Sequence, residues 1–194
     1  MEPLRFPANR QAPRARVFNI IKERSFGEER IVLASGKESD FYFDMKPTMM
    51  HPEGASLLPK LILAALERVE FDCIGGLVMG AVPLITPVTV EAYNQDRSID
   101  GFFVRQAAKD HGTKKLVEGL GSLQGRRAVI LDDVTTTGAS AMQAVEAVRK
   151  AGGEVAMVLT IVDREEGAVD FYREQGIPFT VLYTASEFRT AARS

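Results

Sequence analysis

A chain of 194 residues, 45% hydrophobic and 26% charged, is sized and composed for one globular domain with a full hydrophobic core. Its net charge of −2 excludes a global electrostatic footprint for nucleic acid, so any anionic ligand has to be held by a local basic patch. No apolar run reaches membrane-spanning length, and lone Cys73, in an apolar strand-like stretch, argues against a disulfide framework and reads as an inert core thiol.

The first sixteen residues hold Arg5, Arg10, Arg14 and Arg16 against one acid, with Pro3, Pro7 and Pro13 and no apolar periodicity. They read as a flexible basic tail rather than as a targeting peptide or a nucleic-acid arm. Val17, Phe18, Ile20 and Ile21 mark one face of a helix ending near Gly27, and a strand follows over residues 31–33. After the turn Ser35-Gly36-Lys37 come Phe41, Tyr42 and Phe43. Three consecutive aromatics in an alternating strand cannot all face a core, so at least one is a platform for something else. The alternative is a hairpin packed on the core. His51 stands as a cap at the start of a helix carrying Leu57, Leu61, Ile62, Ala65 and Leu66. A buried strand over residues 73–79 then breaks at Gly80-Ala81-Val82-Pro83 before another helix. Strand, glycine turn and helix together make an anion site, unless the turn is merely tight.

A strand over residues 99–104 leads into residues 105–118, which hold Arg105, Lys109, His111, Lys114 and Lys115 with almost no apolar periodicity. Such a segment suits a mobile cationic lid over a polyanion, the alternative being a solvated charge run. Next comes Arg127-Ala-Val-Ile-Leu-Asp-Asp-Val-Thr-Thr-Thr-Gly-Ala-Ser140. It reads as a buried strand, two carboxylates and a small hydroxyl-rich turn, followed by a helix to Lys150 with Met142, Val145 and Val148 at helical spacing. Thr135, Thr136, Thr137 and Gly138 offer backbone N–H groups, hydroxyls and a residue free to take positive φ at a helix N-terminus, which is a cradle for a phosphate monoester. Asp132 and Asp133 would repel that phosphate unless they faced donors such as the vicinal hydroxyls of a ribose. Neighbouring strand residues point to opposite faces, so the pair can serve one ligand only if the chain is leaving the strand there. An acidic turn with a threonine-rich cap is the bland alternative. A third apolar strand, residues 154–162, delivers Asp163-Arg164-Glu165-Glu166 to the same sheet edge, and residues 179–183 form a last strand. Arg164 can clasp a carboxylate or imide bidentately, or make a helix-entry salt bridge with Glu165 or Glu166. The alternation of strands and helices gives an α/β fold, a mostly parallel sheet flanked by helices, with a small hood over about residues 17–50 on a single domain of residues 17–194.

At the residues 127–140 the sequence resembles the type I phosphoribosyltransferases. Two further blocks, Leu33-Ala-Ser-Gly-Lys-Glu-Ser-Asp-Phe-Tyr-Phe-Asp44 and Phe103-Val-Arg-Gln-Ala-Ala-Lys-Asp-His-Gly-Thr113, look like the members that act on orotate. The resemblance implies transfer of phosphoribose from 5-phosphoribosyl 1-pyrophosphate (PRPP) to orotate, giving orotidine 5′-monophosphate and pyrophosphate. It implies PRPP binding by Asp132, Asp133, Val134, Thr135, Thr136, Thr137, Gly138, Ala139 and Ser140, with Gly80 and Ala81 approaching the pyrophosphate. Arg105, Lys109 and His111 match the pyrophosphate-binding positions, with Lys109, His111, Asp132 and Asp133 as the catalytic set. Tyr42, Phe43, Thr136 and Arg164 fall on orotate-binding positions. It further implies Mg²⁺ held mainly by the substrate, a cytoplasmic homodimer with shared sites, and no nucleic-acid or membrane partner. Gln106 departs from the family, which commonly has lysine there. A transferase for another base would share residues 132–140 but lack Arg164 and the aromatic strand in these roles. A non-catalytic PRPP-sensing regulator would need an effector or nucleic-acid surface.

Overall fold

A computed structural model describes residues 8–32, 38–107 and 116–192. Its centre is a six-stranded sheet of order β10-β9-β8-β5-β6-β7. The strands are β5 (Cys73–Leu77), β6 (Asp100–Val104), β7 (Val117–Glu118), β8 (Arg127–Thr135), β9 (Glu154–Asp163) and β10 (Phe179–Thr184). All pairs are parallel except β6 with β7. The expected α/β architecture is the one observed.

Both sheet faces are covered, as a parallel sheet requires. Helices α3 (Pro52–Ala65) and α4 (Val82–Asn94) lie on one side, where Val129, Leu131 and Leu159 join their core. Helices α5 (Ala139–Lys150) and α6 (Ala168–Glu174) lie on the other, against Ala128, Ile130 and Val158. Along β8 the two cores are therefore fed by alternate residues, the period-two signature of a strand buried on both faces. Cys73 is fully buried and its thiol is pushed up to about 11, chiefly by burial, which makes it the unreactive core residue expected.

Above the sheet edge sits the hood: α1 (Ala8–Arg24), β1 (Phe26–Gly27), β2 (Ile31–Val32), β3 (Glu38–Ser39), β4 (Tyr42–Phe43) and α2 (Lys46–Met49), closed by the C-terminal helix α7 (Ala185–Ala192). Strands β1 and β4 pair antiparallel, as do β2 and β3. Phe18, Phe26, Phe41, Phe43 and Phe188 meet in one aromatic cluster at centroid separations of 4.4–6.4 Å, so the hood's core draws on both ends of the chain.

Two expectations need correction. The basic tail predicted over residues 1–16 is helix from Ala8 onward, with Pro13 inside it. Arg14 and Arg16 are anchored by partners remote in sequence. Arg14 donates to the Leu182 carbonyl at 2.9 Å, pairs with Glu187 at 2.7 Å and lies over the Tyr183 ring, while Arg16 pairs with Glu53 at 2.6 Å. Of the residues 105–118 expected to form a lid, Val117 and Glu118 are strand, pairing with Val104 and Phe103 at the sheet edge, and 108–115 lie outside the described residues. His51 does occupy the N-cap of α3, yet its side chain makes no cap hydrogen bond.

Candidate active site

From β5 the chain crosses to β6 on one side, and from β8 it crosses to β9 on the other. The carboxyl ends of β5 and β8 therefore flank the point where the sheet's winding reverses, the crevice in which open α/β sheets bind ligands. Gly80 and Ala81 follow β5, the residues 132–140 close β8, and Arg164 follows β9, so three predicted groups come together there.

The acidic pair is still in the strand, contrary to the expectation that the chain is leaving it. Ladder pairing runs on through Val134↔Val162 to Thr135↔Asp163. Asp132 consequently faces the α5–α6 layer and Asp133 the α2–α4 layer, and a shared ligand has to straddle the strand end. Asp132 is 9% exposed, with its Oδ2 buried and unpartnered. Burial, then the charge of Asp133, pushes its carboxyl up to about 8. Burial also raises Asp133, opposed by the Val134 N–H donating to its Oδ1 at 3.0 Å and by Lys46.

Gly80 is where the two turns touch: a Cβ there would lie 2.5 Å from Asp133 Oδ1. A Gly80→Ala protein should fold, because the carboxylate can swing aside, but it gives up the Val134 bond in doing so. PRPP binding should weaken by roughly five- to tenfold in calorimetric titration, the worth of about one hydrogen bond. Unchanged affinity would place Asp133 outside the site. The adjoining Val78–Met79 peptide is cis.

Past the carboxylates, Thr135 is buried with its hydroxyl beside the Tyr172 phenol, Val134 is half-buried against the core, Thr136 is half-buried, and Thr137, Ala139 and Ser140 are exposed. Gly138 takes φ of +89° at the N-cap of α5 and has no side-chain cap bond competing for the free N–H groups. The exposed residues and the helix terminus leave hydroxyls and backbone N–H groups open at this edge.

Arg164 reaches this edge through its backbone N–H, which donates to the Thr135 carbonyl at 2.9 Å. Its side chain is 4% exposed and points into the hood. Nε meets Glu166 Oε1 at 2.9 Å, Nη2 donates to Ser39 Oγ at 3.0 Å, Nη1 to the Phe41 carbonyl at 3.4 Å, and the guanidinium stacks 4.3 Å above the Phe41 ring. The helix-entry salt bridge is thus formed, with Glu166 and not Glu165. Phe41 is the aromatic that serves as a platform. Phe43 is packed among Phe26, Phe41 and Phe188, and Tyr42 lies across Gly27, its β-pair partner.

No family model matches the chain. An orotate phosphoribosyltransferase of Bradyrhizobium diazoefficiens is 54% identical over 186 residues, 94% of this chain and all of the relative. Among solved structures, Mycobacterium tuberculosis orotate phosphoribosyltransferase in complex with Fe(III) dicitrate superposes with a TM-score of 0.80 at 33% identity, covering 91% of this chain and 98% of that one. The same enzyme in complex with PRPP gives 0.76 at 31%, over the same shares. The chain belongs to the orotate phosphoribosyltransferase family.

For an orotate phosphoribosyltransferase the remaining groups stand as follows. Arg105 is half-buried, 4.0 Å from Glu118, at the end of β6, and Gln106 is exposed beside it. Lys109 and His111 lie outside the described residues. Among the described residues no three acidic, histidine or cysteine side chains converge as a metal site. Two adjacent carboxylates, one with a free oxygen, fit an ion that arrives on substrate oxygens rather than one caged by protein. Sequence reasoning passed over Ser39, Lys46 and Tyr172. Nothing in the local pattern marked Ser39 or Tyr172, whereas Lys46, two residues after Asp44 and 2.6 Å from it, is a cation that the sequence does display.

Proposed function

We propose the following division of labour for the family's reaction, transfer of phosphoribose from PRPP to orotate with release of pyrophosphate. The backbone and hydroxyls of Thr135, Thr136, Thr137, Gly138, Ala139 and Ser140 hold the 5′-phosphate. Asp132 and Asp133 accept hydrogen bonds from the two ribose hydroxyls, one from each side of the strand end. Gly80 and Ala81 approach the pyrophosphate, and Arg105, Lys109 and His111 neutralise it as it leaves. Arg164 binds orotate, with Thr136, Tyr42 and Phe43 lining the base. Mg²⁺, when bound on the substrate, adds positive charge at the pyrophosphate oxygens. As the C1–oxygen bond breaks, the sugar becomes cationic. Asp132 and Asp133 lie beneath it with little solvation, and once PRPP binding has ionised them they face that charge. Closing the lid over them excludes water, which would otherwise hydrolyse the activated sugar.

The observation that carries this reading is the 2.9 Å bond from Arg164 N to Thr135 O, which fixes the base-binding arm directly against the phosphate cradle. Base exchange with orotate, uracil, hypoxanthine and adenine tests it. Turnover with orotate alone is expected, and a preference for another base would reassign Arg164.

The enzyme works as a cytoplasmic homodimer whose lids complete the partner's sites. Val90 and Tyr93, three apart on α4, are 55% and 78% exposed and are apolar surface that a second copy would cover. Asp132→Asn and Lys109→Ala proteins, each inactive alone, should then complement on subunit exchange. Random pairing makes about half the dimers mixed, and two-fold symmetry gathers both defects in one site of each, so roughly a quarter of wild-type activity returns. Exchange without recovery would mean that each lid serves its own subunit.

A further inference from the structure

The wall beneath the phosphate cradle is made by α6. Tyr172 is fully buried, held edge-on by Phe171 at 5.4 Å and faced by Phe179 at 4.6 Å, and its hydroxyl donates to the Gly138 carbonyl at 2.9 Å. That carbonyl also receives the first bond of α5, from Met142 N at 3.3 Å. No side chain fits at Gly138: a Cβ would lie 2.7 Å from the Phe171 ring and 3.0 Å from the Tyr172 ring. The contact is therefore a close approach of loop backbone to an aromatic wall, with the Gly138 bond at its centre and the Thr135 hydroxyl beside the same phenol.

A peptide unit is planar, and its C=O and N–H point in opposite directions. Drawing the Gly138 carbonyl down onto the Tyr172 hydroxyl turns the N–H of the same peptide, that of Ala139, up into the cradle. A carbonyl accepting two hydrogen bonds is also more polarised, which strengthens its own N–H as a donor. Gly138 makes this restraint necessary, since a glycine at positive φ is the loop's freest joint. We infer that Tyr172 is a positioning residue for the 5′-phosphate: it acts through the Gly138 peptide to fix the Ala139 N–H, and so serves PRPP and orotidine 5′-monophosphate without touching either.

This inference rests on the assignment of residues 135–140 to the 5′-phosphate, and the test separates the two. Tyr172→Phe removes the hydroxyl and keeps the ring. Dissociation constants are measured for orotidine 5′-monophosphate and for orotidine, which lacks the phosphate, in the wild type and in the variant. The wild type should bind the nucleotide far more tightly than the nucleoside. In Tyr172→Phe nucleotide binding should weaken about three- to tenfold, the worth of one hydrogen bond, while orotidine binding stays unchanged. In steady-state kinetics the same variant should raise the KM for PRPP and leave that for orotate. Phe179→Leu loosens the same aromatic wall without removing the hydroxyl, and it should lower thermal stability with no phosphate-specific loss. If the wild type fails to prefer the nucleotide, the cradle assignment falls. If it does prefer it and Tyr172→Phe keeps the full preference, or if Phe179→Leu loses as much of it, the positioning role of Tyr172 is overturned and the cradle stands.

Discussion

Replacing Arg164 by alanine should raise the KM for orotate by roughly 30-fold or more, while the KM for PRPP moves by less than about threefold. The side chain is almost wholly buried, and its Glu166, Ser39 and Phe41 contacts set its position before any ligand arrives. Losing a partner for the orotate carboxylate forfeits a charge-assisted interaction of about 2–3 kcal/mol. The phosphate cradle is tied to residue 164 only through its backbone N–H, which alanine retains. Glu166 keeps a partly exposed side chain, so water can solvate the carboxylate left behind. Lysine should rescue poorly, since an ammonium can neither stack flat on Phe41 nor reach three acceptors in one plane. Kinetics with each substrate varied in turn decide the matter, and equal losses for both would mean a collapsed pocket.

Asp132→Asn should weaken PRPP binding by about 10- to 100-fold and at the same time make the protein more stable. The loss follows from removing a charge-assisted acceptor, worth about 1.5–3 kcal/mol. The gain follows from the sign of the proton linkage. The folded carboxyl titrates at about 8, against about 3.9 in an unfolded chain. The ionised form is thus disfavoured by folding, and wild-type stability falls as pH rises from about 4 to about 8. Asparagine never ionises, so the difference should be absent below about pH 4 and complete above about pH 8. Each kcal/mol of that gain raises the Tm of a chain this size by about 2–4 °C. PRPP affinity of the wild type should in turn increase as pH rises toward about 8, and the variant should lose that dependence. Thermal unfolding and calorimetric titration at pH 5, 7 and 9 check both halves. An Asn variant less stable at pH 9, or as tight for PRPP, would show that Asp132 is a structural acid.

Five of the sheet's six strands were legible because each is a run of apolar residues bounded by glycine or charge, and α3, α4 and α5 because each follows a turn signal with apolar residues, whereas the two-residue β7 and the short α6 carry no such pattern. The element from Ala139 to Lys150 is observed over the residues expected. The 127–140 segment pointed to a candidate cradle because its chemistry is local: carboxylates, hydroxyls and a free glycine all lie within a few residues. What escaped was set by partners far along the chain. The helix at residues 8–16 is held by Leu182, Glu187 and Glu53, and no window around Arg14 contains them. Tyr172 reads as an ordinary helix aromatic until α6 is packed beneath residue 138. The aromatic triplet was half legible: that one ring had to be a platform followed from alternation, but that it is Phe41, beneath Arg164, depends on how β3 and β4 fold over the sheet.

The opposed orientation of Asp132 and Asp133 bears on how such a site can change over evolutionary time. Each carboxylate answers to a different layer of the molecule, Asp132 to α5 and α6, Asp133 to the Gly80 turn and Lys46. A substitution that retunes the acidity of one carboxylate is felt by the other, since after burial it is the charge of Asp133 that raises Asp132, and neighbouring acids titrate as a pair. Drift in either layer is therefore read by both carboxylates, and a lineage that adjusts the acidity of one has to answer for it at the other.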